Sequence, residues 1–252
     1  MPSDRKQQVS SLLKAIETGD PEAVKVVNER QYIQHNPLTR EGNVGLAELF
    51  ARLAKTGPKV EIVRVFEDGD YVFAHTHYNF NTVEVGFEMF RYEGEQIVEH
   101  WDNLQTEALA PNASGRTMLD GPTEVTDLDK TETNRALIRE FIQAVLIEGK
   151  SDQLDDYIHP SDYKEHHPNG SDGIEALHRM LFASGDDRRY QTVHRILAEG
   201  NFVLSMTEGY LKGEHVSFVD LFRLEQAQIV EHWDTLDHVP PESEWVNQNG
   251  KF

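Results

Sequence analysis

The stretch IVEHWD, at residues 97–102, occurs a second time at residues 229–234, which is 132 positions later. The segment YIQHNP, at residues 32–37, corresponds to YKEHHP, at residues 163–168, with an offset of 131. Further matching segments lie between these two anchors in the same order in both halves. The chain is therefore predicted to consist of two copies of one structural unit.

The boundary between the copies is predicted within LDGPTEVTDLDKTE, whose Gly, Pro and acidic residues are typical of an exposed connector. The predicted domains are residues 1–125 and 126–252, each of a size common for a single domain. Within each copy, residues at helical spacing precede extended runs separated by turns. The clearest helices are predicted over residues 5–17, 44–54 and 174–182, and the clearest strands over 83–92 and 96–104. Helices followed by a strand meander predict an α+β fold with an antiparallel sheet.

The composition excludes several classes of protein. The 252 residues include 24 Lys and Arg against 44 Asp and Glu, a formal charge of −20, so nucleic acid and anionic membrane surfaces are not expected partners. No apolar run approaches the ~18–20 residues needed to span a bilayer, and the amino terminus lacks the pattern of a secretory signal. We therefore expect a cytoplasmic protein. The absence of cysteine excludes disulfides, thiolate nucleophiles and Cys-ligated metal sites.

The alternation of strand residues separates the side chains of IVEHWD into two groups. His100 and Asp102 share one face, Trp101 lies on the other, and His232 and Asp234 repeat the arrangement in the second copy. A histidine and a carboxylate on one face can act as a base and its orienting partner. The alternative is an exposed polar edge, with the tryptophan side buried. Periodicity alone leaves both possibilities open.

An acid also occupies corresponding positions in an apolar strand of each copy, namely Glu88 and Asp220. Such a carboxylate either faces solvent or is buried beside a partner, and burial without a partner would raise its pKa. Retention of the acid in both copies favours a role in a pocket, and both residues are candidate general bases.

With these residues in place, the chain resembles the SnoaL-like branch of the NTF2-like superfamily, and is similar to members described as predicted SnoaL-like aldol-condensation enzymes. The YIQHNP element, the FRYEGEQIVEHWD hairpin and the Asn- and Pro-containing tail carry the resemblance, which covers nearly all of both copies. It implies two tandem cones, each a curved antiparallel sheet wrapped over helices with a pocket in its mouth. It also implies that the cones pair through their sheets as an intrachain pseudo-dimer.

The resemblance places the YxxH-P loop near the pocket mouth, where His35 and His166 could polarise a substrate carbonyl. The alternative is a hydrogen bond that merely fixes the loop. Aromatic residues on the strands are candidates for lining an apolar, substrate-binding pocket, although aromatics at strand spacing are more often core. These candidates are Trp101, Phe90, Trp233 and Phe222.

His75 and His77 place two imidazoles on one strand face. They are candidate substrate-binding residues, or with a third histidine they could form a metal site. The second copy has Met206 and Glu208 at these positions, which argues against a metal function shared by both copies. No metal site is therefore predicted.

The activity implied by the resemblance is that of a polyketide-cyclase-like lyase or isomerase. A proton would be abstracted next to a carbonyl, and aldol-type closure or isomerisation would follow without a cofactor. Asp102 or Glu88 would remove the proton, while His100 and His35 would hold or protonate the enolate oxygen. Their counterparts are Asp234, Asp220, His232 and His166.

Two other functions remain open from the sequence. One is a non-catalytic module that binds a small ligand or is associated with stress, and the other is a metal-dependent enzyme that uses His75 and His77. The chain has none of the glycine-rich motifs of nucleotide-cofactor enzymes, so no cofactor is expected. A small molecule is the expected partner, and the divergence at His75 and His77 allows one active and one structural copy. A further homo-oligomer stays open.

Overall fold

The computed structural model describes residues 4–20, 22–28, 30–182 and 187–252. By packing, the chain divides into two units. Unit 1 contains the residues up to Glu107 together with Val239–Phe252, and unit 2 contains Ala108–His238. Each unit is thus completed by a segment that follows the last strand of the other copy in the sequence. The predicted boundary at residue 125 refers to the sequence repeat and stays a prediction, as does the pairing of the two units.

The described residues of unit 1 form two α-helices and one five-stranded sheet. Its elements are α1 (Asp4–Thr18), β1 (Ile33–Gln34), α2 (Gly42–Leu53), β2 (Lys59–Asp68), β3 (Tyr71–Asn79), β4 (Val83–Glu93) and β5 (Gln96–Thr106). Short 3-10 helices cover Ala23–Val26, Ala54–Thr56 and, in the C-terminal segment, Glu242–Glu244. The strands lie in the order β1-β5-β4-β3-β2.

Unit 2 repeats this order of strands. Its elements are α3 (Thr131–Phe141), α4 (Leu154–Tyr157), β6 (Lys164–Glu165), α5 (Ile174–Phe182), β7 (Arg188–Glu199), β8 (Phe202–Leu211), β9 (Glu214–Glu225) and β10 (Gln228–His238). A π-helix continues α3 over Ile142–Ile147, and 3-10 helices cover Leu128–Lys130 and Ser151–Gln153. The sheet order is β6-β10-β9-β8-β7.

The predicted α+β tandem duplication is confirmed. The helices predicted at residues 5–17, 44–54 and 174–182 correspond to α1, α2 and α5, and the predicted strands correspond to β4 and β5. The sheets are mixed rather than purely antiparallel, because the two-residue strands β1 and β6 join β5 and β10 in parallel. None of the described helices has both the length and the apolar character needed to cross a lipid bilayer.

Helix α1 covers one face of the unit 1 sheet with an apolar stripe. Val9, Leu12, Leu13 and Ile16 are buried and belong to one cluster with residues of the sheet such as Val72. Leu12 and Leu13 lie three and four positions after Val9 and four and three positions before Ile16, so all four residues lie on the same side of the helix. The side of the sheet that faces the helices is therefore the one that can enclose a pocket.

Candidate functional site

Strand β5 carries the IVEHWD stretch between β1 and β4. Asp102 lies directly opposite Glu88 of β4, and His100 lies opposite Gln34 of β1. Directly paired residues project from the same face of a sheet. Strand register therefore brings these four polar side chains together, although Gln34 is distant in the sequence from the other three.

This face of unit 1 borders a cavity of about 290 Å³. The apolar part of its wall includes Leu12, Ile16, Leu46, Phe50, Phe80 and Leu104. The polar part includes Tyr32, Gln34, Asn36, Tyr78, Glu88, His100 and Asp102. A mostly apolar cavity with a few convergent polar groups is the usual form of a small-molecule site.

Glu88 and His100 form a buried pair beside the cavity. The Nε2 atom of His100 lies 2.6 Å from Oε2 of Glu88, and its Nδ1 atom lies 3.1 Å from Oε1 of Gln34. The Tyr78 hydroxyl donates a hydrogen bond of 2.9 Å to the other Glu88 oxygen. The pair can hold or release a proton in a fixed orientation, as acid–base catalysis requires.

Asp102 is held by donors from two different parts of unit 1. Asn36 Nδ2 donates to Oδ2 at 2.9 Å, while Lys251 Nζ donates to the Asp102 carbonyl at 2.8 Å and lies 3.5 Å from Oδ1. Burial raises the pKa of Asp102, but the charges of Lys251 and His100 outweigh it and bring the pKa below its ordinary value. Asp102 is therefore a carboxylate at neutral pH.

Lys251 reaches the site because the C-terminal segment is fastened to the YIQHNP loop. Asn247 Nδ2 donates hydrogen bonds to the carbonyls of Asn36 and Thr39 at 2.8 and 2.9 Å. The backbone NH of Val246 donates to the carbonyl of Pro37 at 2.8 Å. The Lys251 side chain is only 2% exposed, so its charge acts on Asp102 with little screening by water.

Glu88, His100 and Asp102 place one ligand atom each within 4.8 Å of one another, a spacing that suits a metal ion. The same atoms already take part in the hydrogen bonds described above. In addition, the Lys251 ammonium group beside Asp102 opposes a second positive charge. The chemistry of this donor set therefore favours proton transfer over metal binding.

The corresponding site of unit 2 contains more ionisable side chains. His232 Nδ1 lies 2.9 Å from Oε1 of Glu165, and its Nε2 lies 3.0 Å from Oδ1 of Asp220, so the imidazole is clamped between two buried carboxylates. Burial lowers the pKa of His232, but the neighbouring Glu165 and Asp220 carboxylates outweigh it and raise the pKa well above its ordinary value. Asp234 pairs with His167 at 2.8 Å. Unit 2 thus has Glu165 and His167 where unit 1 has Gln34 and Asn36.

The cavity of unit 2 is almost closed. Its volume is about 10 Å³, which accommodates no more than about one water molecule. Phe218 stands where unit 1 has Gly86, and Tyr190 stacks on it with ring centroids 4.3 Å apart. A Cβ atom on Gly86 would lie 2.8 Å from the Tyr78 ring, so unit 1 excludes a side chain at that position. The two copies therefore share a fold but not an open pocket.

Comparison with known proteins identifies the family. A model of the SnoaL-like domain matches residues 9–100 and again residues 138–232. The chain belongs to the SnoaL-like domain family. The resemblance inferred from the sequence is confirmed, and the two matched regions fall one in each copy.

Solved structures match lengths of about one SnoaL-like unit. A candidate ketosteroid isomerase from Kribbella flavida is 18% identical over 47% of this chain and 91% of its own, with a TM-score of 0.41. An LEH-like epoxide hydrolase from M. tuberculosis is 19% identical over 43% and 85%, with a TM-score of 0.36. A SnoaL-like polyketide cyclase from Agrobacterium tumefaciens is 13% identical over 41% and 91%, with a TM-score of 0.35. No curated protein sequence matches the chain significantly.

Four of the residues predicted for the site meet beside the cavity of SnoaL-like unit 1. They are Glu88, Phe90, His100 and Asp102, and Phe90 stacks on His100 with ring centroids 4.6 Å apart. Their counterparts in unit 2, Asp220, Phe222, His232 and Asp234, are buried, and the first three border the residual cavity.

The other predicted residues lie away from the cavity. His35 Nε2 donates a hydrogen bond of 2.8 Å to the Glu99 carboxylate, and the ring stacks on Trp101 at a centroid distance of 4.6 Å, on the face of β5 opposite to His100. His166 repeats this with Glu231 at 2.9 Å and with Trp233 at 4.5 Å. These contacts support the alternative stated for the YxxH-P histidines, a hydrogen bond that fixes the loop.

His75 and His77 also lie on the face of the sheet away from the cavity. The Arg64 guanidinium lies 3.0 Å from His75 Nδ1, and His77 Nε2 lies 3.1 Å from Glu107. In the described part of the chain, the group whose ligand atoms converge consists of Glu88, His100 and Asp102, and neither His75 nor His77 belongs to it. Their positions give no support to a role in substrate or metal binding.

Sequence reasoning missed Lys251, Tyr32, Gln34 and Asn36. The last three belong to the YIQHNP element, in which only His35 was predicted as a site residue. Gln34 lies on the other face, beside His100. The equivalence of YIQHNP with YKEHHP contained a usable signal, because the changes from Gln34 to Glu165 and from Asn36 to His167 alter charge. Lys251 had no such signal, since its proximity to Asp102 depends on the path of the C-terminal segment.

Replacing Lys251 by Met should raise the pKa of Asp102, because the change removes the ammonium charge while keeping a long apolar side chain. The pKa of Asp102 is lowered in the folded state, so its stabilising contribution is present above its ordinary pKa and lost as pH falls through the folded value. Acid unfolding of unit 1 should therefore begin at higher pH in Lys251→Met. A ¹³C NMR titration of the Asp102 carboxyl measures the shift directly. Lys251→Arg, which keeps the charge, is the control, and equal titration of the wild type and Lys251→Met would contradict the assignment.

Proposed function

We propose that SnoaL-like unit 1 removes a proton next to a carbonyl group of an apolar cyclic molecule and returns a proton to another atom. The observation that carries this proposal is the cavity of about 290 Å³, where an apolar wall ends at Asp102, Glu88 and His100. Its volume lies just below the range of about 300–1,000 Å³ for sites that bind drug-sized molecules, and suits a smaller molecule of one or two rings. The product is an isomer or the result of aldol-type closure.

Asp102 is the base in this proposal. It is ionised at neutral pH because Lys251 and His100 lower its pKa, and it has an oxygen next to the cavity. A carboxylate with a lowered pKa is a weak base, so it can deprotonate only a carbon activated by the carbonyl and by a second unsaturated group. Glu88 and His100 have polar atoms within 4.8 Å of Asp102 and can return the proton to a second position on the substrate.

The unit 2 cavity supports a different function for that copy. A volume of about 10 Å³ leaves no space for a substrate, and the imidazole of His232 is bound on both sides by carboxylates. We assign unit 2 a structural role without turnover, which applies the non-catalytic alternative to one half of the chain.

The experiment that tests this function is hydrogen–deuterium exchange on 2-tetralone. The C1 carbon of this bicyclic ketone lies between an aromatic ring and the carbonyl, so it has the required activation. In D₂O, NMR should show faster loss of the C1 protons with the protein than in buffer. Tetralin, which has the same shape but no carbonyl, should inhibit the exchange competitively. Exchange no faster than in buffer, for 2-tetralone and for β-dicarbonyl compounds of similar size, would contradict the proposal.

A further inference from the structure

Tyr32 is a buried residue whose hydroxyl faces the cavity of unit 1. The residue is 5% exposed and lines the cavity, and its ring stacks in parallel with that of His100 at a centroid distance of 6.4 Å. Among the residues that the structure describes, none forms a hydrogen bond with this hydroxyl. The hydroxyl is not one of the fully enclosed side-chain atoms that lack a partner, so it is open to the cavity, where a ligand atom can accept its hydrogen bond.

In the second copy, the corresponding tyrosine has a hydrogen-bond partner. Tyr163 is the counterpart of Tyr32, and its hydroxyl donates a hydrogen bond of 2.6 Å to Oε2 of Glu165. Unit 1 has Gln34 in place of Glu165. The Gln34 side-chain oxygen already faces the backbone NH of Asn36 at 2.9 Å and Nδ1 of His100 at 3.1 Å. The substitution of Gln for Glu therefore leaves the Tyr32 hydroxyl available to the cavity.

The surroundings of Tyr32 keep its proton in place. Burial raises the pKa of Tyr32, and the negative charges of Glu88 and Asp102 raise it further. The hydroxyl therefore acts as a neutral donor. The same two carboxylates disfavour an anionic ligand group at this position, so a neutral oxygen acceptor is the better match.

We infer that Tyr32 binds the carbonyl oxygen of a neutral, apolar ketone and stabilises the negative charge that this oxygen gains during the reaction. The inference rests on the proposed function of unit 1. In the step concerned, the C–H bond breaks and its proton forms an O–H bond with Asp102. The C–H electron pair becomes the new C=C bond, and the carbonyl π pair moves to the oxygen. The charge that Asp102 loses thus reappears on the oxygen beside Tyr32, and a hydrogen bond aimed there strengthens in the transition state.

Isotope-edited infrared spectroscopy of 2-tetralone labelled with ¹³C at the carbonyl tests the hydrogen bond without relying on turnover. The carbonyl stretch of the bound ketone should be shifted to lower frequency in the wild type. Tyr32→Phe should return it to the value in an apolar solvent, and the matched variant Tyr163→Phe should leave it shifted. Equal frequencies in the wild type and Tyr32→Phe would overturn the inference, as would failure of the wild type to bind the ketone.

Kinetics and thermal unfolding separate this role from a structural one. The kcat for C1 exchange should fall by about 10²–10³-fold in Tyr32→Phe, the range for removal of one oxyanion donor, with a smaller change in KM. The melting temperature should be unchanged or higher in Tyr32→Phe, which loses an unpartnered hydroxyl. It should fall in Tyr163→Phe, which loses a hydrogen bond to a charged group.

The two proposals can fail independently. If the infrared shift depends on Tyr32 but no exchange is catalysed, the hydrogen bond to the ketone stands and the acid–base function is wrong. If exchange is catalysed at the wild-type rate by Tyr32→Phe and the infrared frequency does not change, the acid–base function stands and the role of Tyr32 is wrong.

Discussion

Asp102→Asn should lower the rate of protein-catalysed exchange at C1 of 2-tetralone by about 10²–10⁴-fold, the usual contribution of a positioned general base. The asparagine amide cannot accept the proton from carbon. It can still accept the hydrogen bond of Asn36 through its oxygen, and the Lys251 bond to the backbone carbonyl of residue 102 does not involve the side chain. Loss of the carboxylate leaves the buried Lys251 ammonium group without its counter-charge, so the melting temperature should fall as well. NMR exchange kinetics recorded below that melting temperature isolate the loss in kcat.

Asp234→Asn provides the matched control, because Asp234 occupies the same position in unit 2. Its carboxylate is paired with His167, and the cavity of unit 2 is almost closed. Exchange should continue at the wild-type rate at temperatures where this variant is folded. If Asp102→Asn kept the wild-type rate, or if Asp234→Asn lost activity to a similar degree, Asp102 would not be the base of a site confined to unit 1.

Much of the fold could be predicted because the sequence contains the same structural unit twice. Two occurrences of IVEHWD fix the repeat, and alternation within that stretch predicts that His100 and Asp102 share a face. Which face is enclosed could not be predicted, since both faces of β5 carry buried side chains, such as His100 on one face and Trp101 on the other. The choice depends on which side the helices cover, and that is a property of tertiary packing.

The site could be predicted only in its sheet residues. Glu88 and Asp102 are opposite each other because of strand register. Glu88 was predicted as an acid in an apolar strand, and Asp102 as a carboxylate on the same strand face as His100. Lys251 lies 149 positions from Asp102, and no local pattern connects a lysine near the C-terminus with a strand of the first copy. The difference in cavity volume also depends on tertiary contacts, since it requires knowing that Phe218 replaces Gly86 on the face beneath the helices.

His232→Leu should destabilise unit 2 by about 3–5 kcal/mol, the cost of removing one partner of a buried ion pair. Glu165, Asp220 and His232 are all nearly inaccessible to water, so loss of the imidazolium would leave two uncompensated carboxylates. Urea unfolding followed by hydrogen exchange with mass spectrometry would assign the loss to β9 and β10. His238→Leu, at a histidine whose side chain is 58% exposed, should change stability by no more than about 0.5 kcal/mol.

The effect should depend on pH with a defined sign. The pKa of His232 is raised in the folded state, so its contribution is fully present below its ordinary value of about 6.5 and is lost as pH rises through the folded value. The stability of wild-type unit 2 should therefore decline at alkaline pH. The His232→Leu variant should lack this decline, so the difference between the two proteins should shrink as pH rises. A difference that stays constant from pH 6 upward would contradict a charged His232.

A second substitution distinguishes loss of charge compensation from loss of packing. Adding Glu165→Gln to His232→Leu removes one of the two uncompensated carboxylates and installs the residue that unit 1 carries as Gln34. If the cost of His232→Leu arises from buried charge, the double variant should be more stable than the single one, and Asp220 alone should account for the remaining deficit. If the cost arises from the cavity left by the imidazole ring, Glu165→Gln should give no recovery. That result would show that the ion pairs of unit 2 contribute little to its stability.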